Sequence, residues 1–121
     1  MAKFVPDATL DSMLGIISAA NKVIICSTQP TTYTEANSTY SLGSATSPSF
    51  SAADGDTSGR KITMAQKTGV SITSSGTAAH IALVNTGTTT LLAVTTCTSQ
   101  AVTSGNTATI NAFKYELGDV T

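Results

Sequence analysis

The densest cluster of charge in the chain is "ADGDTSGRK" at residues 53–61, where two carboxylates, small turn formers and two adjacent basic residues lie together. Carboxylates alternating with small residues are how an EF-hand loop, D-x-[DN]-x-[DN]-G-x5-E, wraps calcium. Asp54 and Asp56 fit its first and third positions and Gly59 its sixth, but Ser58 is a weak fifth ligand and Ala65 stands where a bidentate glutamate is needed. A phosphate-cradling loop requires G-x-x-x-x-G-K-[ST]. Here "GDTSGRK" is one residue short between its glycines and has Arg60 and Lys61 where Lys and Ser/Thr belong. The stretch therefore reads as a polar turn whose aspartates bond their own backbone. A weak cation site and an inter-subunit salt contact through Arg60 stand as alternatives.

His80 is the only histidine and falls in a strand-like run. A hydrolase would need a nucleophile on it and a carboxylate behind it. No G-x-S-x-G occurs, and serine is too abundant for a chance pairing to carry weight. Nor does any carboxylate pair stand out as a glycosidase couple. Cys26 and Cys97 lack C-x-x-C spacing and sit in apolar runs. They read as buried thiols, with a disulfide within or between subunits as the alternative. No catalytic, cofactor-binding or metal-binding residue is assigned, and the expectation is a non-enzymatic protein without a cofactor.

Composition narrows the class further. Charged residues are 11% of the chain and the formal net charge is −1, against about 25% charged residues in ordinary domains. There is no positive field to gather nucleic acid or an anionic membrane. Aromatic residues are 5% and Trp is absent, which leaves few platforms for stacking bases or sugars. Thr and Ser together make about three residues in ten, and Ala about one in eight. Such short side chains lose little entropy when covered, whereas ordering a Lys or Glu costs up to about 2 kcal/mol. A low-charge surface of this kind favours association, and a homo-oligomer is expected.

The elements that would position these groups follow from periodicity. Residues 9–21 place Leu10, Met13, Leu14 and Ile17 on one helical stripe, with Asp7 or Thr9 as cap and Asn21 as stop. The opposite face carries Asp11, Ser12 and Ser18, so the stripe reads as core packing and not as a membrane helix. Asp7 and Asp11 interrupt the apolar start, which reads as mature structure and not as a signal peptide. The sequon at Asn37 is then idle. "KVIICS" is a short apolar strand. Residues 28–51 read as a polar loop with one helical turn near "TYTEAN", pinned by Tyr33, Tyr40 and Phe50.

From about residue 60 to 118 the period becomes two. Ile62 and Met64 share a face, as do Val70 and Ile72. "AAHIALV" sets Ala79, Ile81 and Leu83 against His80, Ala82 and Val84, so both faces are expected to be covered. "LLAVTTC" is two-sided as well. "TATINAFKYEL" reads as one strand, with Phe113, Tyr115 and Leu117 inward and Lys114 and Glu116 outward. The expectation is one domain over residues 1–121. It is mainly β, with six or seven strands in an antiparallel β-sandwich or flattened barrel and one N-terminal amphipathic helix across an end.

The segments "VIICSTQPTTYTEANSTYSLG", "ADGDTSGRKITMAQKTGVSITSSGTAAHIALVN" and "LLAVTTCTSQAVTSGNTATINAF" resemble the small Thr/Ala-rich virion structural proteins of tailed bacteriophages. The resemblance spans nearly the whole chain and rests on texture, not on a catalytic signature. It implies a capsid decoration or cement protein on the coat lattice, or a neck, tail or head-fibre component, found in the virion after assembly in the host cytoplasm. The partners it implies are other virion proteins. A host-surface or glycan-binding β-sandwich module is the competing expectation.

Overall fold

The computed structural model describes residues 6–56 and 59–117. The chain is mainly β: an N-terminal helix, one turn of π-helix and two antiparallel sheets. The helix α1 spans Asp7–Ser18 and starts two residues before the expected position. Neither Asp7 nor Thr9 caps it. Pro6, already extended, occupies the cap position, and its carbonyl accepts from the Thr9 and Leu10 amides. Leu10 and Leu14 are buried and Ile17 packs on the core, but Met13 is 51% exposed and Ile16 63%. At 100° per residue, Met13 sits roughly 60° round from Leu10. That angle moves it out of the contact stripe. Asn21, expected to stop the helix, instead braces the far hairpin, donating to Thr86 Oγ1 and accepting from the Thr86 amide, each at 3.0 Å.

The first strand, β1 (Lys22–Cys26), lies near the middle of a six-stranded sheet. Its neighbours are β2 (Ser41–Thr46) and β6 (Gly76–Asn85). Beyond these lie β5 (Lys67–Ile72) and β8 (Thr107–Ile110) on one side and β7 (Thr90–Val102) on the other. Val23 and Ile25 point inward with Ile81, Leu83, Val70 and Ile72. Ile24 and Cys26 point outward with Ala82 and Val84, under Tyr33, Ala36 and Tyr40. The expected two-sided burial of "AAHIALV" is thus realised, with one change. Ala78, not Ala79, enters the inner core, because the β6–β7 register slips between Ala78 and His80. A bulge resets which side chains face inward.

The second sheet runs β3 (Phe50–Asp54), β4 (Arg60–Met64) and β9 (Phe113–Leu117). Met64, Phe50, Phe113 and Tyr115 join the inner core of the larger sheet, which closes the sandwich. Phe113 and Tyr115 meet edge to face, with centroids 5.9 Å apart. The segment "TATINAFKYEL" is two strands, not one, because the chain crosses between sheets at Asn111 and Ala112. The first five residues of the apolar start lie outside the described residues.

The largest departure from the sequence reading is residues 28–51, which are not a loop throughout. They hold the π-turn (Glu35–Thr39) and all of β2, and β3 begins at Phe50. "SLGSAT" offers one bulky apolar residue and so gives little periodic signal. It becomes a strand because β1 and β5 pair with it on both sides. Gly43 is what lets β5 approach. A Cβ built there would lie 2.3 Å from the Ser71 carbonyl oxygen and 2.9 Å from Ile72 Cδ1. Gly43→Ala is therefore expected to destabilise by about 1–3 kcal/mol, as overpacking does, read as a lower urea midpoint at unchanged m-value.

Candidate functional site

The charge cluster is a hairpin turn. Gly59 takes positive φ, 71°, and its carbonyl accepts from the Gly55 amide at 2.9 Å, which closes the loop between β3 and β4. Among the described residues the aspartates bond basic side chains. Arg60 Nε donates to Asp11 Oδ1 at 2.8 Å and Arg60 Nη1 to Asp54 Oδ1 at 2.7 Å. Lys61 Nζ donates to Asp56 Oδ1 at 2.6 Å, and Lys114 pairs with the other oxygen of Asp56. The Arg60 and Lys61 side chains are largely covered, only 20% and 22% exposed. Arg60 ties α1 to the hairpin.

The guanidinium is held further in its charged form than usual, first by the hydrogen bonds to Asp11 and Asp54. A cation entering this turn would displace Arg60, Lys61 and Lys114 from the carboxylates it needs. Ser58 lies outside the described residues. Among the described residues no three His, Cys, Asp or Glu side chains gather as a metal site. No helix among them is long and apolar enough to cross a membrane.

His80 sits opposite Cys26 on β1 and Thr96 on β7. Its Nδ1 is buried without a hydrogen-bond partner among the described residues. Cys26 and Cys97 are both free thiols. They belong to opposite faces of the sheet. Cys26 is in the outer cluster, donating weakly to the Ala36 carbonyl at 3.7 Å, while Cys97 packs on the inner one. Burial pushes the Cys26 thiol from its ordinary value of 9.0 up to about 11 and raises Cys97 as well. Both shifts favour the protonated, unreactive form.

The outer face of β1 and β6 is covered by residues 30–40. Glu35 Oε1 accepts from the Thr31 amide and the Thr31 hydroxyl, both at 2.8 Å, while the Glu35 amide donates to Thr32 Oγ1 at 3.2 Å. These bonds hold the Glu35 carboxyl below its usual range, the Thr31 amide foremost. "TYTE" at residues 32–35 carries the capping-box spacing, a signal in the sequence that would have sharpened the expected helical turn. Asn37 of the sequon accepts from Lys22 Nζ at 2.7 Å and so fastens this cover to β1.

Of the residues weighed from sequence for chemistry, Cys97 lines a recess that the charged turn and His80 do not reach. The strands β7 and β8 follow one another through the turn at Thr103–Asn106, yet they do not pair. Each bonds a different neighbour, and they form the two edges of the six-stranded sheet. Both edges line one cavity of about 340 Å³, floored by Ile25, Ala78, Ile81, Ile110 and Phe113. The sheet therefore curls into an open half-barrel whose seam is this cavity. A second recess of about 520 Å³ lies nearer the turn and shares Gln100, Val102, Ala108, Thr109 and Asn111 with the first. Among the described residues no charged side chain lines either one. The signal available in sequence was the absence of any Asp, Glu, Lys or Arg between Lys67 and Lys114.

Comparison with protein-family models, with curated proteins and with solved structures finds no match for the chain.

Two outcomes are expected from this geometry. Maleimide labelling of the folded protein near pH 7 modifies Cys97 well before Cys26. The Cys26 rate climbs only as the pH rises from about 9 towards 11, and Cys97→Ser isolates that slow phase. The same raised pKa means that the stability contributed by the protonated Cys26 is complete below its ordinary value of 9.0 and is lost as the pH rises through the folded value of about 11. Arg60→Leu lowers the melting temperature by a few degrees, because it leaves Asp11 and Asp54 without their cation. The loss shrinks in roughly 1 M salt, where screening weakens the parent's own pairs.

Proposed function

We propose that this chain is a non-enzymatic structural component of a tailed bacteriophage virion, and specifically a capsid decoration or cement protein that binds the coat lattice as a homo-oligomer. The observation that carries the reading is the uncharged stretch from Thr68 to Phe113. It supplies β6, β7, β8 and most of β5, and so a large share of one sheet with nothing to desolvate except short neutral groups. Covering such a surface costs little side-chain entropy and leaves no ion stranded. The charges of the turn at residues 53–61 are meanwhile spent within the chain, which keeps them from opposing a neighbour. The texture shared with phage virion proteins points the same way. A neck, tail or head-fibre position would use the same surface at a lower copy number.

Quantified gels of purified particles test this. Hundreds of copies per particle place the chain on the shell. About six or twelve copies, the numbers that ring and dihedral symmetry supply, place it in the neck or tail. Absence from particles overturns the proposal.

A further inference from the structure

We infer that the open seam between β7 and β8 is a strand-acceptor site, which takes one extended, uncharged peptide segment from another protein. Three features of the seam specify this occupant. Its rims are the two edges of the six-stranded sheet, so each presents a row of backbone N–H and C=O groups that only a strand can satisfy in register. The β6–β7 register jumps from Ala78 opposite Gln100 to His80 opposite Thr96. Cys97, Thr98 and Ser99 consequently have no partner on β6. This bulge does not twist the edge out of reach, as protective bulges do, because Cys97 and Thr98 still line the cavity facing β8. The floor is apolar, formed by Ile25, Ala78, Ile81, Ile110 and Phe113, and can receive every second side chain of an inserted strand.

The lining also selects against charge. Thr, Gln100 and Asn111 offer hydroxyls and amides but no counter-ion, and a charged residue carried into the seam would be desolvated without compensation. The other sheet edges bear the guards that natural proteins place against strand addition. On the smaller sheet β3 follows Pro48 and ends at Asp54, while β9 carries Lys114 and Glu116. Of the seam's own two rims, β8 is the short one, at four residues. By contrast, β7 runs for 13 residues without Pro, Gly or charge. The inference rests on the reading that the chain works bound to another protein, and not on which particle contains it.

The test pans a random displayed library of peptides about ten residues long against the purified full chain. Enriched peptides are expected to share an uncharged core with apolar residues at alternate positions. They should bind at least about tenfold more weakly to Thr98→Lys and Thr109→Lys, one substitution on each rim, than to the parent. Both positions are exposed, so the variants keep the parent's melting curve, and Ser51→Lys on the guarded sheet binds as the parent does. Bound peptide should also slow hydrogen exchange at the amides of residues 97–99. The inference is overturned if nothing is enriched, if the enriched cores are charged or proline-rich, or if enriched peptides bind both rim variants as well as the parent. Enrichment by a chain that is absent from particles would overturn the proposed function and leave the strand-acceptor site standing; the converse result would do the opposite.

Discussion

Burial of β1 on both faces is the constraint on which the remaining architecture depends. Val23, Ile24, Ile25 and Cys26 are all within 3% of full burial, so a strand of five residues demands an apolar cover above and below. A slip of one residue would exchange its two faces. The inner cover is the smaller sheet with α1, reached through Met64, Phe50 and Phe113. The outer cover is the polar segment of residues 30–40, held down by Tyr33, Tyr40, the Glu35 bonds and Lys22 on Asn37. The outer cover is a largely polar segment, and β1 with β6 supplies the apolar surface on which it lies.

Charge and its absence then divide the molecule. The hairpin between β3 and β4 gathers Asp54, Asp56, Arg60 and Lys61, with Asp11 from the helix and Lys114 from β9. These groups connect elements far apart in sequence and present opposite signs to one another. At the other extreme, the edges of the larger sheet carry no ion at all. A surface that neither repels a neighbour nor requires a counter-ion is suited to contact, and the unpaired backbone of β7 gives that contact a direction.

How legible each element was depended on whether its side chains or its neighbours made it what it is. Ile62 with Met64, Val70 with Ile72, and the two faces of β6 alternate in the sequence as they do in the sheet, because burial of each face selects residue by residue. The helix was legible in kind and less so in bearing. Leu10, Leu14 and Ile17 hold the core side, and Met13 lies just far enough round to leave it. Strand β2 was not legible, since "SLGSAT" owes its conformation to partners on both sides and to a glycine that serves their approach. The split of "TATINAFKYEL" was hidden for a related reason. Alternation continues across Asn111 and Ala112 while the chain changes sheets.

From the sequence alone came the class of the protein: a low-charge, Thr- and Ala-rich antiparallel β fold with one helix, whose charged turn failed each motif at its most necessary ligand. Those conclusions depend on composition and local period, which are properties of neighbouring residues. Only the tertiary structure decided that Arg60 is spent on Asp11 and Asp54, that Cys26 and Cys97 face opposite sides of one sheet, and that β7 and β8 leave a shared turn without pairing. Each of these relations joins residues through space. The sequence lists the groups, but the curl of the sheet determines which of them meet.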